Sequence, residues 1–445
     1  MKHILLILVF FACIANSDAA YTEVMKTDGP EKNLKTDYHL VDDNAEVDQS
    51  DKLQKAIDEM SEKGGGRLII PKGTYQFFGV AMKSNVHILL EQGTVIRPSL
   101  IKAGKVCVLT FVSDEGPERF VENVSIRGLN GRYTIDFSQG GSLCGARFIR
   151  CERVRNFLIA DADIRDSQTG YSAMNFCPSK VNGANTWEVF RPTNGTVRDC
   201  SLFNSHHGYG LVQFHGAENL LFENLYSRGG ITLRFETGSG GDYAGVFDIT
   251  GKNIVNENGE TAVALYPHAV QNGNVWIDGV TAISSGWAVS AGGGGPPSKK
   301  DMAKNPDSKP GRFGDDSYVI NVHAIFGKTA QIAKKGACRT PKEYIKDLKV
   351  PEDADGQYFE GASIGVVHEG ILNDTYQLRI ENVTSEGFKY NDGIVRGDQG
   401  WPEGSARRRF AKELPGYEEI AARSRARGEY KKKLAAEKAA NKTKK

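Results

Sequence analysis

Beyond Ala15 the sequence has no apolar run long enough to span a bilayer, which excludes a chain that threads a membrane on helices. Long stretches of helical periodicity are equally scarce, which excludes a helical bundle. The cysteines outside the first twenty residues (Cys107, Cys144, Cys151, Cys177, Cys200 and Cys338) form neither a C-x-x-C metal pair nor the dense spacing of a disulfide framework. They read as single buried thiols. Charge of one sign is missing overall, at net +1, and no basic and aromatic platform points to nucleic acid. The acidic stretch DDNAEVDQSD at 42–51 departs from the EF-hand spacing. No cofactor or metal site is therefore expected, although a structural calcium or halide is compatible with the sequence.

What is present points to a fold built by repetition. A chain of 445 residues exceeds the roughly 250 to 300 at which single cores stop growing. Its 50 glycines punctuate many short apolar segments, among them HILLEQGTVI, NFLIADADIRD, NLLFENLYSRG, NVWIDGVTAISSG and QLRIENVTSEGF. Alternate residues in these segments are apolar, an Asn, Asp or Gly follows, and the pattern recurs every 20 to 30 residues. That period with strand alternation predicts a parallel β-solenoid, an all-β fold in which each coil buries its apolar residues against the next. A flat antiparallel sandwich is the competing architecture.

Lys2 and His3, the apolar run Ile4–Ala15 and the small-residue stretch NSDAA have the layout of a secretory signal, expected over 1–19. The protein is thus expected to be secreted or periplasmic. An N-terminal segment covers 20–48. Leu53, Ala56, Ile57 and Met60 lie at helical spacing before the glycines at 64–66 and predict a helix capping the open end of the solenoid. The solenoid itself is expected over 49–290, with a loop inserted at 291–316, a coil at 317–328, a second insertion at 329–360 and terminal coils at 361–400. The lysines of the insertions (Lys299, Lys300, Lys304, Lys309, Lys334, Lys335) suit an anionic chain. From Trp401 onward fourteen Lys or Arg face six Glu, in a tail with helix-forming composition and little apolar stripe, expected to be a solvated, partly disordered helix.

The stretch ITLRFETGSGG carries the chemistry. On a strand, Ile231, Leu233 and Phe235 turn to the core while Thr232, Arg234, Glu236 and Gly238 face out. One coil earlier GLVQFHG turns Val212 and Phe214 inward and Gln213 and His215 outward. Gln213 precedes Glu236 by 23 residues, one plausible coil. A coil later TAVALYPHAV offers Tyr266 and His268. Each has an ordinary explanation, such as a surface ion pair between Arg234 and Glu236 worth little by itself. Three neighbouring coils placing polar groups at one lateral position argue for a site. A groove beside parallel coils suits an extended polysaccharide, and Arg234 suits a sulfate or carboxylate held by a forked hydrogen bond. Glu236 can act as general acid only if its proton survives near neutral pH, which Arg234 opposes.

The run GGITLRFETG, followed by ALYPHAVQNGNVWIDGVTAISSGWAV, resembles the iota-carrageenases, right-handed parallel β-helix hydrolases that cut β-1,4 bonds of a sulfated red-algal galactan with inversion. The resemblance is strongest over 208–291. It implies Glu236 as proton donor, Gln213 as the residue positioning water, His268 as a histidine of the cleft and Arg234 as a contact to sulfate. Tyr266 and His215 join the substrate-binding set. The family pattern also has an aspartate, the base, two residues after the glutamate; this sequence has Gly238. Inversion needs a second carboxylate roughly 6.5 to 9.5 Å from the acid. Asp242 in the GSGGDY turn is the foremost candidate, Asp248 a weaker one; His215 or His268 as base, and binding without cleavage, remain alternatives. Scraps of polygalacturonase and pectate lyase motifs (HHGYG, GDDSY, VWIDG) are incomplete, and a lyase is the rival enzyme class. The expected partner is an anionic polysaccharide, with a monomeric chain, no nucleic acid and no membrane.

Overall fold

The computed structural model describes residues 21–24, 29–100, 104–113, 119–180, 189–240, 245–295, 299–304, 306–307, 309–352, 358–371, 375–397, 401 and 409–442. The expected leader at 1–19 lies outside them. Nearly all strands join one parallel sheet coiled into a solenoid with three ladders. The first ladder stacks Leu68, Ile88, Ile126, Ile159, Val197, Phe222, Gly251, Ile277, Val319 and Ile380 in register. A second begins with Tyr75, Ile96, Ile135, Ile164 and Leu202. The third runs through Val80, Leu109, Ile149, Met174, Val212, Leu233, Val263, Val289, Val367 and Ile394. Like residues stack on like because every coil presents the same alternating face to the one above. This is the β-helix that the segment period predicts.

The Asn, Asp and Gly punctuation has a backbone cause. Asn123, Asn156, Asn194, Asn219 and Asp248 all have φ between 50° and 55°, the left-handed region that asparagine tolerates better than most side chains. Successive members join edge to edge, with Asn156 Nδ2 donating to Asn123 Oδ1 at 3.2 Å and Asn219 Nδ2 to Asn194 Oδ1 at 2.7 Å. A second such ladder links Asp199, Asn224 and Asn253. Asp248 is an exposed member of the first ladder. Its role is to turn the chain.

The helix Ser50–Glu62 buries Leu53, Ala56, Ile57 and Met60 against the first coils and stops before Gly64 and Gly65, both at positive φ. The N-terminal segment also supplies a strand, Glu31–Asn33, that pairs with Gly66–Ile70. None of the six cysteines among the described residues is in a disulfide; four are buried and two half-buried. No helix among the described residues is long and apolar enough to cross a membrane.

The second insertion forms an antiparallel pair, Ala330–Ala333 with Tyr358–Gly361, and a small core of its own. The tail differs from the solvated segment its composition suggests. Leu414 and Ile420 close that core together with Trp287, Ile332 and Phe359, and Arg427 donates to the Ser142 carbonyl at 2.8 Å. Further along the helix Tyr417–Lys442, Lys431 and Leu434 line a pocket with Ser142, Leu143 and Cys144.

Inside the third ladder the rings of Phe176, Phe214 and Phe235 stack, with centroids 5.5 and 4.5 Å apart. Phe214→Ala should cost about 3 to 5 kcal/mol, because the stack cannot close over the void. Denaturant unfolding checks this, and a loss below about 1 kcal/mol would show that the stack is not under packing constraint.

Candidate functional site

The outward row of the third ladder, one residue along from the apolar row, reads Thr110, Arg150, Asn175, Gln213, Arg234, Ala264, Ser290 and His368. Gln213 thus pairs with Arg234, not with Glu236: the coil here is two residues shorter than the expected 23, and Glu236 pairs with Tyr266. Gln213 is almost buried and accepts from Ser172 Oγ at 3.2 Å. Ile231, Leu233 and Phe235 face the core as expected, but Thr232 is fully buried as well. Its hydroxyl donates to the Val255 carbonyl at 2.8 Å and accepts from Asn256 Nδ2 at 3.1 Å. Asn256, buried beneath the sharp Gly229–Gly230 turn, also donates to the Gly230 carbonyl and so fixes the direction in which ITLRFE leaves that turn.

Glu236 closes a network. Arg234 donates to its Oε2 at 2.6 Å, and His268 Nε2 lies 3.1 Å from its Oε1. Burial pushes the Glu236 carboxyl up, but the His268 hydrogen bond and the Arg234 guanidinium outweigh it and hold the group below the usual glutamate range. Arg234 keeps a buried Nε without a hydrogen bond among the described residues and lies over the Tyr209 ring. It has capacity left for a second anion. His215 is half-buried, with Nδ1 2.9 Å from the Glu236 carbonyl; burial holds its pKa low, so it is neutral and braces the backbone of the glutamate. Tyr266 donates to Ser290 Oγ at 3.0 Å, and burial raises its phenol to about 12.

His268 sits in the left-handed region at φ 50°, a strained place for this residue and of the kind that clusters at functional sites. The first insertion holds it there. Gly311 donates to the His268 carbonyl at 2.8 Å, and Phe313 returns into the core beside Phe235. Asn272 and Thr237 tie the same loop to the strand carrying Glu236.

At Gly238 a Cβ would lie 2.4 Å from His268 Cβ and 2.6 Å from its Cγ. The histidine occupies the space into which any side chain at 238 would project. Asp242, the foremost candidate for the second carboxylate, lies outside the described residues. No group of three or more metal-ligating side chains occurs among the described residues. Sequence reasoning missed several neighbours: Arg147, which donates to Asn175 Oδ1 at 2.7 Å and stacks on Tyr171, and Glu260 and Ser290 on the coils beyond.

No protein-family model matches the chain. An iota-carrageenase of Zobellia galactanivorans is 39% identical over 264 residues, 58% of this chain and 52% of that protein. One of Alteromonas macleodii is 37% identical over 267 residues, 58% of this chain and 53% of that protein. The chain is similar to the iota-carrageenases. It spans about half the length of these curated relatives. Among solved structures, a 1,3-alpha-1,4-beta-D-galactose-4-sulfate-3,6-anhydro-D-galactose-2-sulfate 4 galactohydrolase superposes with a TM-score of 0.76 at 28% identity, covering 86% of this chain and 94% of the other. An iota-carrageenase complexed to iota-carrageenan fragments has a TM-score of 0.76 at 26% identity, with the same coverage of each chain. Both sequence and fold therefore bear out the resemblance carried by GGITLRFETG.

The packing at Gly238 gives a direct test. Gly238→Ala should destabilise the protein by about 1 to 3 kcal/mol through overpacking, and His268→Ala in the same chain should restore most of the loss. Urea unfolding of the two single variants and the double variant measures the coupling; additive effects would mean that the two residues do not compete for space.

Proposed function

We propose that the protein is an exported glycoside hydrolase that cleaves β-1,4 bonds of a sulfated galactan, iota-carrageenan or a close relative, with inversion. The observation that carries this reading is the network in which one carboxylate, Glu236, is shared between Arg234 and His268 on an outward row of a β-helix. Similarity to the iota-carrageenases supports it.

In this mechanism a substrate sulfate takes the Arg234 guanidinium by a forked hydrogen bond. Losing that neighbour raises the Glu236 carboxyl from its depressed value toward protonation. Glu236 then gives its proton to the departing glycosidic oxygen as water attacks the anomeric carbon from the opposite face. Gln213 orients the water, and His268 holds the acid in place. Arg147 and Arg150, both on the strand Gly145–Cys151 of an earlier coil, extend the positive surface along the polymer. The replacement by Gly238 favours one rival, a protein that binds the same polymer without cutting it.

One kinetic series separates the two. On iota-carrageenan, with kappa- and lambda-carrageenan, agarose and pectate as controls, the native protein should release reducing ends without an unsaturated product, and Glu236→Gln should lose about 10²- to 10⁴-fold in turnover while still binding. The sign of the pH dependence follows from the same electrostatics. The acid works only when protonated, so activity falls as pH rises through its pKa. That fall should come at higher pH in kcat, which reports the complex, than in kcat/KM, which reports the free protein. Coincident limbs would rule out displacement of Arg234. Binding with no release of reducing ends would establish the binder.

A further inference from the structure

The outward face that carries Gln213, Arg234 and Glu236 continues in both directions along the solenoid. On the later coils a cavity of about 50 Å³ lies among Glu260, Tyr266, Ser290 and Arg339, with room for a few waters. On the earlier coils an opening of about 270 Å³ has a different lining. Lys105 and Tyr171 line it from the solenoid, Leu143 and Cys144 from the connection before the strand Gly145–Cys151, and Lys431 and Leu434 from the helix Tyr417–Lys442. The basic tail thus borders the face that carries Glu236.

Several contacts hold the helix there. Ile420 is buried in the small core with Trp287 and Phe359, Arg423 donates to the Pro351 carbonyl at 2.8 Å, and Arg427 donates to the Ser142 carbonyl at 2.8 Å. Residues 420, 423, 427, 431 and 434 follow one another at spacings of three and four, so they share one face of the helix. That face is the one turned to the solenoid. The helix therefore runs back across the coils, from that of Trp287 to that of Gly145.

The chemistry of the opening suits an anionic sugar. Lys105 and Arg147 lie 5.9 and 4.5 Å from the centroid of the Tyr171 ring. Tyr171 meets Tyr209 edge-on at 6.2 Å, and the Arg234 guanidinium lies 5.8 Å from the Tyr209 centroid. A continuous line of rings and cations thus joins the opening to the arginine that pairs with Glu236. Arg147 also donates to Asn175 in the outward row and keeps a buried Nε without a hydrogen bond among the described residues. The charged residues in the lining are Lys105 and Lys431, both exposed. Two cations brought to one opening by separate elements repel each other, and an anion between them turns that cost into binding. Leu143 and Leu434 add apolar surface for the C–H face of a sugar ring. Tyr171 leads into the strand Met174–Phe176, two coils before Arg234, an offset of about 10 Å along the solenoid. A polymer lying across the coils with one unit at Glu236 passes a later unit over the opening.

We propose that the C-terminal helix completes a remote binding site for the polymer, in which a sulfated sugar about two coils from Glu236 seats its sulfate between Lys105 and Lys431 and its C–H face against Leu143 and Leu434. The inference rests on the sulfated-galactan reading above, and it holds whether that polymer is cut or only bound.

The test compares native protein with Lys431→Glu, Lys105→Glu and Lys433→Glu. Lys433 is exposed and lies about 200° around the helix from Lys431, so it makes the same change in net charge away from the opening. The readouts are retention in gels loaded with iota-carrageenan, its dependence on salt, and melting temperature. Lys431→Glu and Lys105→Glu should each weaken retention about tenfold, the loss of one charge-assisted contact, and flatten the salt dependence. Where the polymer is cut, its KM should rise by a similar factor with kcat kept. Lys433→Glu should match native protein. Native retention in a folded Lys431→Glu overturns the proposal, and so does an equal loss in Lys433→Glu, which would assign the effect to diffuse charge. If Lys431→Glu does not fold, the chain ending at Gly428, which keeps Leu414, Ile420, Arg423 and Arg427, decides by the same retention. Native protein that iota-carrageenan does not retain overturns the sulfated-galactan reading itself, a different outcome from retention indifferent to Lys431.

Discussion

Parallel register is the constraint on which everything else depends. Once Val212, Leu233, Val263 and Val289 stack inward, the residues one step along must form a continuous outward row, since successive strand side chains alternate between faces. A shift of one residue would bury Arg234 and expose Phe235. The hydrophobic core therefore fixes the lateral positions of Gln213, Arg234 and Glu236 without any interaction among them. The Arg234–Glu236 pair is thereby left free to be poised for chemistry.

That freedom shows in the electrostatics. An exposed ion pair of this kind contributes little to folding, yet here the two groups are largely screened from water, with side chains 16% and 18% exposed. The His268 hydrogen bond and the Arg234 guanidinium hold the glutamate toward its ionised form, the wrong state for an acid, and an anionic substrate is what reverses it. A polymer carrying sulfate at regular intervals meets both needs, binding and activation, through a single guanidinium. His268 plays the complementary part, held in a strained conformation by the first insertion while it fills the space over Gly238. Two segments that look like interruptions of the repeat thus shape the site: the first insertion braces His268, and the second, through Gln331 and Arg339, walls the cavity at Glu260.

Much of this was legible in the sequence because solenoids write their structure locally. Alternation in ITLRFE placed Ile231, Leu233 and Phe235 in the core, and trailing Asn, Asp and Gly marked the left-handed turns. Coil length was not legible. The strand Thr193–Phe214 shifts register between Phe203 and Gly210, so counting from Gln213 led to Glu236 when the partner is Arg234. Thr232 escaped alternation because it lies above Asn256, a polar residue inside the coil that gives it a hydrogen bond. Glu260 carried no signal at all. Its neighbours in the cavity wall, Tyr266, Ser290 and Arg339, come from separate coils and an insertion. No local pattern announces a neighbour 79 positions away.

The most direct test of the account is a crystal structure of the Glu236→Gln protein with a sulfated galactan hexasaccharide bound. The chain should lie across the coils along the row of Asn175, Gln213 and Arg234, with a sulfate on the Arg234 guanidinium and a glycosidic oxygen within hydrogen-bond reach of residue 236. An oligosaccharide seated on another face of the solenoid, or one that leaves Arg234 without a sulfate, would contradict it.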